Sequence, residues 1–179
     1  LADKFLVWGI ESIQWYAAAG NPPEKIEVTG NPRFDTLGSF KPLFSKQLLC
    51  EKLNLRDDKG IVLFATQQVN KFSSFWTDDL FLAMADKLID ALRDFPDKQL
   101  VIKTDPYEDI APYRDRIAAG SYPNAVAVKD IDLYTLMYFS ELVVTMDSTV
   151  GLEALAFDKT LITINLSRRP DRVQYAASE

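Results

Sequence analysis

The feature that most restricts the fold is an alternation of two kinds of segment. Beyond Phe44, short runs that are apolar at nearly every position take turns with stretches of helical character. The runs are Ile61-Val62-Leu63-Phe64-Ala65, Gln99–Lys103, Ala125–Val128, Leu142–Thr145 and Leu161–Asn165. A strand that is apolar throughout has to be covered on both faces, as in a parallel sheet sandwiched between helices. The intervening helices are predicted around Ser45–Leu53, Ile110–Ala119, Leu133–Phe139 and Val150–Phe157. A further one begins after Thr77, which reads as an N-cap, with Asp78 and Asp79 in the first turn where the helix dipole favours negative charge. Phe81, Met84, Leu88, Ala91, Leu92 and Phe95 give this helix one buried face, and Pro96 ends it. Right-handed crossovers then predict an α/β fold, a Rossmann-like doubly wound parallel sheet with strand order 3-2-1-4-5.

The first 40 residues are organised differently. Lys4–Gly9 reads as a short buried strand, Glu11–Ala19 has helical composition, and Gly20-Asn21-Pro22-Pro23 breaks the chain. Lys25–Thr29 alternates like a strand and runs into Gly30-Asn31-Pro32, after which Arg33–Pro42 carries turn residues and little periodicity. A domain boundary is therefore expected near residue 40, separating 1–40 from 41–179. Leu1 stands where an initiator Met would, so sequence upstream of it is expected.

Composition removes several functions. The chain contains no histidine, which excludes Ser-His-Asp hydrolysis, Cys-His nucleophilic chemistry and His-based zinc sites from anything this segment does alone. No metal site is expected. A net charge of −6 leaves no excess of Lys and Arg for general nucleic-acid binding. Cys50 is the only cysteine, so no internal disulfide forms and a reducing, cytoplasmic location is the default expectation. No apolar run approaches the roughly 20 residues that span a bilayer. Membrane contact is expected only through sequence outside this chain.

In a sheet of this topology the ligand lies beyond the carboxyl ends of the strands, where the strand order reverses. Thr66-Gln67-Gln68 and Met146-Asp147-Ser148-Thr149 are the loops that face it. The second opens Asp147-Ser148-Thr149-Val150-Gly151-Leu152-Glu153-Ala154, a passage from strand directly into helix. Free backbone N–H groups and two hydroxyls there suit a diphosphate. Glu153, four residues after Thr149, is placed to accept hydrogen bonds from ribose hydroxyls. An ordinary Ser or Asp cap followed by a solvated Glu has the same spacing. Dinucleotide and P-loop readings lose support, because neither G-x-G-x-x-G nor G-x-x-x-x-G-K-[ST] occurs. A phosphorylated receiver domain would need acidic residues after the first strand, where Thr66-Gln67-Gln68 stands.

Three stretches carry a family resemblance. Asp3–Gly9 and Lys25–Asp35 resemble the interdomain region of bacterial sugar enzymes of GT-B architecture. That group includes UDP-N-acetylglucosamine 2-epimerases, capsule and lipid-linked glycosyltransferases, and glycerophosphotransferases. Asp132–Ser140, with Glu141–Thr145 and Ser148–Leu155, is similar to their C-terminal nucleotide-sugar motif.

The resemblance implies two Rossmann-like domains, with residues 1–40 the tail of the first and the linker, and 41–179 the second, nucleotide-sugar-binding domain. It implies that Ser148 and Thr149 hold the diphosphate, Glu153 the ribose, and the backbone around Val128 and Lys129 the base. Gly30 and Asn31 would lie at the floor of the cleft, although a plain turn explains them as well. Gln67 and Lys103 are further expected ligand contacts, Lys103 being otherwise a solvated strand end. Where many relatives read Lys-x-His-Pro, this chain reads Lys103-Thr104-Asp105-Pro106. Asp105 cannot present a positive charge to a leaving phosphate, which argues against glycerophosphotransferase chemistry. The paired glycines and double glutamate of typical 2-epimerases are also missing. Arg168, Arg169 and Arg172 form a basic cluster that reads best as solvated surface. The expected function is a nucleotide-sugar-dependent glycosyltransferase of bacterial surface-polysaccharide synthesis, with a UDP-sugar as substrate and no cofactor. A UDP-sugar 2-epimerase and a non-catalytic nucleotide-sugar-binding module are the alternatives. Its catalytic residues are not assigned by sequence, and the segment alone is expected to be inactive without its N-terminal domain.

Overall fold

The computed structural model of the chain describes residues 2–67, 78–120, 122–146 and 148–165. The Thr77 cap, Gln68, Asp147 and the cluster of Arg168, Arg169 and Arg172 lie outside them. Backbone contacts divide the chain into two compact units, Leu1–Phe40 and Lys41–Glu179.

The smaller unit is a short βαβ turn. Strand β1 (Phe5–Val7) pairs in parallel with β2 (Ile26–Val28), and α1 (Ile10–Ala18) connects them. The expected buried strand is only partly so. Val7 is 2% exposed, but Leu6 is 63% exposed and α1 buries no residue. Two strands provide too little surface to enclose a core. The segment after Pro32, expected to be irregular, forms one helical turn, α2 (Pro32–Asp35), and a 3-10 turn at Leu37–Ser39. Local chemistry explains it: Pro32 occupies the first helical position and the Asn31 side chain accepts from Arg33 N at 3.1 Å.

The larger unit follows the expected alternation. Helix α3 (Lys46–Leu53), capped by Ser45, precedes β3 (Gly60–Ala65), α4 (Asp78–Ala91), β4 (Lys98–Lys103) and α5 (Ala111–Ala119). Then come β5 (Ala125–Val128), α6 (Leu133–Phe139), β6 (Ser140–Thr145), α7 (Val150–Ala156) and β7 (Thr160–Thr163). All five strands pair in parallel, in the order β5-β4-β3-β6-β7, which is the predicted 3-2-1-4-5. The last strand ends at Thr163, two residues before the expected end.

Side chains alternate across the pleat, so each strand feeds two cores. Val62, Phe64, Leu100, Ile102, Ala127 and Val144 pack with Phe81, Met84 and Ile89 of α4 and Tyr113 of α5. Ile61, Leu63, Val101, Val128 and Val143 pack with Leu49 and Leu53 of α3, Leu136 and Met137 of α6, and Ala154 of α7. Among the described residues, Gln99 is the one amide in the sheet's interior, 1% exposed. It is satisfied as a strand partner would be: its Oε1 accepts from Arg56 N at 3.0 Å and its Nε2 donates to Arg56 O at 2.7 Å. That pairing fixes the connection between α3 and β3. Gln99→Leu strands both Arg56 backbone groups and is expected to cost about 1–3 kcal/mol in urea unfolding. Leu155→Ala, at a position 44% exposed, is expected to stay within about 0.5 kcal/mol of the parent.

Candidate functional site

Because the strands are parallel, their carboxyl ends lie on one edge. The pairing sets Ala65, Lys103 and Val128 in register, with Thr145 level with Thr163. From β3 the chain passes to α4 on one face; from β6 it passes to α7 on the other. Neighbouring strands whose exits diverge leave a crevice between them, the position at which ligands enter doubly wound sheets. Thr66-Gln67 lies on one side of it and Ser148-Thr149 on the other.

A row of threonines closes this edge from within. Thr145 Oγ1 donates to Ala65 O at 3.0 Å, Thr104 Oγ1 to Val128 O at 3.3 Å, and Thr66 Oγ1 lies 3.4 Å from Lys103 O. Thr104 and Thr145 thus add a donor to the carbonyl at the end of the neighbouring strand, whereas the Thr66 proton goes to Glu108 and Lys103 O takes the Thr66 main-chain N–H at 3.0 Å. All three are buried. None carries a spacing signal that sequence reasoning can isolate.

The expected contact residues fall into three groups. Gln67, Ser148 and Thr149 are at the crevice, Thr149 being exposed and the other two half-buried. Ser148 Oγ accepts weakly from Val150 N at 3.3 Å, while Thr149, the N-cap residue of α7, makes no side-chain cap. Glu153 is on α7 as expected but is enclosed, at 2% exposure. On the neighbouring strand ends, the Val128 carbonyl already accepts from Thr104 N at 3.0 Å as well as from its hydroxyl. The Lys129 ammonium donates to Glu108 O at 2.8 Å. The Val128 carbonyl and the Lys129 side chain thus help to hold the edge together. Gly30 and Asn31 belong to the smaller unit, where Gly30 has a φ of +75° and Asn31 caps α2. That is the geometry of a turn leading into a helix.

Lys103 is not a solvated strand end. Its side chain is 9% exposed and its ammonium donates to Thr104 O at 2.9 Å. Burial pushes its pKa down, while Asp105, Asp130, Asp132 and Glu108 pull it back up. A buried ammonium with two further N–H donors at this edge suits an anionic ligand.

Glu108 was not expected to matter. In sequence it looks like a solvated loop acid between Tyr107 and Asp109, yet it is 9% exposed. Its carboxylate accepts from the Thr66 hydroxyl, from Asp105 N at 2.9 Å and from Tyr113 OH at 3.2 Å. Burial raises its pKa, and the bonds from Thr66, Asp105 and Tyr113 oppose that shift. A cavity of about 210 Å³ lies beside it, lined by Leu82, Glu108, Asp109, Pro112 and Tyr113. Another, of about 280 Å³, is lined by Lys98, Leu100, Asn124 and Ala125 and so sits at the amino ends of β4 and β5, away from the crevice. Among the described residues no cluster of His, Cys, Asp or Glu is placed to hold a metal ion, and no helix is long and apolar enough to cross a membrane.

The raised pKa of Glu108 has a definite sign in stability. Below the ordinary value of 4.5 both folded and unfolded states are protonated. As pH rises past it the unfolded chain ionises first, so this group's contribution falls until the folded carboxyl ionises too. Glu108→Gln removes that fall. The stability of the variant relative to the parent, from urea unfolding at a series of pH values, is expected to rise from pH 4.5 upward. A difference independent of pH would show that Glu108 titrates normally.

Comparison with known proteins agrees with this architecture. The family model described as capsule polysaccharide biosynthesis protein matches residues 51–166, more than half of the chain. No curated protein matches in sequence. Among solved structures, the UDP-GlcNAc 2-epimerase from Neisseria meningitidis bound to UDP-GlcNAc superposes with a TM-score of 0.72 at 16% identity, covering 96% of this chain and 46% of that one. The S. aureus MnaA–UDP co-structure gives 0.70 at 17% identity, covering 93% and 43%. The wall teichoic acid polymerase TagF gives 0.58 at 18% identity, covering 89% and 37%. The chain therefore spans less than half the length of each of these structures, whose GT-B-type, Rossmann-like half it shares. With residues from the middle of α3 to just beyond β7 matched, the chain belongs to the capsule polysaccharide biosynthesis protein family.

Proposed function

We propose that this chain supplies the donor-nucleotide half of a glycosyltransferase that uses a UDP-sugar in surface-polysaccharide synthesis. Membership of the capsule polysaccharide family is the observation that carries the reading. Similarity to the MnaA–UDP co-structure and to the UDP-GlcNAc-bound epimerase supports the choice of ligand. In this reading the hydroxyls of Ser148 and Thr149 and the ammonium of Lys103 hold the diphosphate, and Gln67 faces it from the β3 side of the crevice. Fixed donors of this kind stabilise the charge that builds on a departing diphosphate, because they need not reorganise as it forms. Glu153 receives the ribose hydroxyls at the inner end of the crevice. The base meets the backbone beyond β5, where the Val128 carbonyl is already taken and the Lys129 backbone remains.

The opposing wall comes from an N-terminal domain of the complete protein. The exposed Leu6, Trp8, Ile10 and Trp15 of the smaller unit suit a sheet that continues into such a domain. The donor serves as substrate, no cofactor takes part, and the reaction runs in the cytoplasm. A UDP-sugar 2-epimerase is the second reading, favoured by the better superposition on the epimerase, at 0.72 against 0.58 for the polymerase.

Calorimetric titration of the complete protein with UDP tests the assignment. Glu153→Ala is expected to weaken binding by roughly ten- to hundredfold, on the order of 1.5–3 kcal/mol for hydrogen bonds to a charged acceptor. Thr149→Val, at an exposed position, is expected to cost about three- to tenfold. Parent affinity in both variants would remove these residues from the site. The 179-residue chain by itself is expected to release no UDP from a panel of UDP-sugars, since half a cleft leaves water in the site. Steady turnover by the isolated chain would place the catalytic groups within it.

A further inference from the structure

Three loops at the carboxyl edge converge on one residue that no ligand-contact reading includes. Thr66 follows β3 and leads into Gln67; Asp105 lies in the turn after β4; Lys129 follows β5. Glu108 joins all three. Its Oε2 accepts from the Thr66 hydroxyl and from Asp105 N at 2.9 Å, and its main-chain carbonyl accepts from Lys129 Nζ at 2.8 Å. The turn that presents it is closed by Glu108 N donating to Asp105 O at 3.1 Å and Tyr107 N to Asp105 Oδ1 at 2.9 Å. From the other side Tyr113 OH, on α5, donates to Oε1 at 3.2 Å. The carboxylate is thus fully engaged, with three donors on its two oxygens, and its residue is only 9% exposed.

The geometry points to Glu108 as a positioning residue of the donor site: by tying the loop after β3 to the turn after β4, it sets Gln67 and Lys103 at the spacing the nucleotide needs. The inference rests on the proposed donor-binding role. Glu108 touches no ligand in this arrangement; it acts through Thr66 and Asp105. Simple filling of space is a poor account of it, because an ionised carboxylate in a buried position is costly and an apolar side chain of similar size would avoid that cost. What an apolar residue lacks is an acceptor reached at once by a hydroxyl, an amide and a phenol from three elements. Two consequences separate positioning from packing. A glutamine keeps both the shape and the acceptor, its oxygen facing Thr66 and Asp105 and its NH2 facing Tyr113. A valine at position 66 keeps the shape of threonine but loses the hydroxyl.

Three variants of the complete protein, Glu108→Val, Glu108→Gln and Thr66→Val, are to be titrated calorimetrically with UDP, with thermal melting as the check on folding. Glu108→Val is expected to weaken UDP binding roughly tenfold or more, and Thr66→Val about three- to tenfold while still melting as a folded protein at a somewhat lower temperature. Glu108→Gln is expected to restore affinity to within about threefold of the parent. If Glu108→Val does not fold, Thr66→Val and Glu108→Gln decide the matter. Parent-like affinity in folded Thr66→Val overturns the inference, and so does a Glu108→Gln variant as weak as the valine. Absence of UDP binding by the parent protein itself would overturn the donor-site reading and this inference with it.

Discussion

Everything in the larger unit depends on covering β3 from both sides. Ile61, Leu63 and Phe64 are fully excluded from solvent and Val62 nearly so. Each such side chain is worth about 1.5–3 kcal/mol when removed from water. By contrast, the ion pairs of Lys98 with Asp97 and Glu141 are at the surface, where such pairs contribute about 0–1 kcal/mol. The apolar pattern, not charge pairing, therefore dictates that α3 and α6 lie on one face and α4 and α5 on the other. The first two crossovers, α4 and α5, take one face and the next two, α6 and α7, the other, and the reversal of strand order at β3 and β6 accompanies that change of face.

That reversal places the polar chemistry. The apolar runs stop together at one edge, and the next residues carry hydroxyls that bond across it. Thr104 and Thr145 direct theirs at the Val128 and Ala65 carbonyls, and Thr66 directs its own at Glu108. The result is an edge whose backbone is already satisfied. Glu108 extends the same economy one layer outward, from strand ends to loops.

The two units differ in how far they are self-sufficient. The five-stranded sheet has two cores and buries its apolar side chains on both faces. The two-stranded unit leaves Leu6, Trp8, Ile10 and Trp15 more than half exposed. Short local signals still shape it: Pro32 at the first helical position and the Asn31 cap form α2 where periodicity alone predicts none. A single turn of helix is too short for a hydrophobic period to register, so capping chemistry is the only trace it leaves in sequence.

The amino-acid sequence by itself determined the elements of the sheet, their parallel pairing and their order. Period, caps and breakers are local properties, and the handedness of crossovers removes the remaining choices. It also located the crevice, since a switch point follows from strand order, and so placed Gln67, Ser148 and Thr149. What only the tertiary structure decided is which polar groups meet. Thr66 and Glu108 are 42 residues apart, and Lys129 lies 21 from the carbonyl it binds. Glu153 is enclosed, and the Val128 carbonyl is bonded by Thr104, neither of which the spacing of the sequence records. Side-chain pairings of this kind depend on strand register and loop path to within about an ångström. The periodicity of a sequence records which face a residue takes and carries no information on which distant atom it will find there.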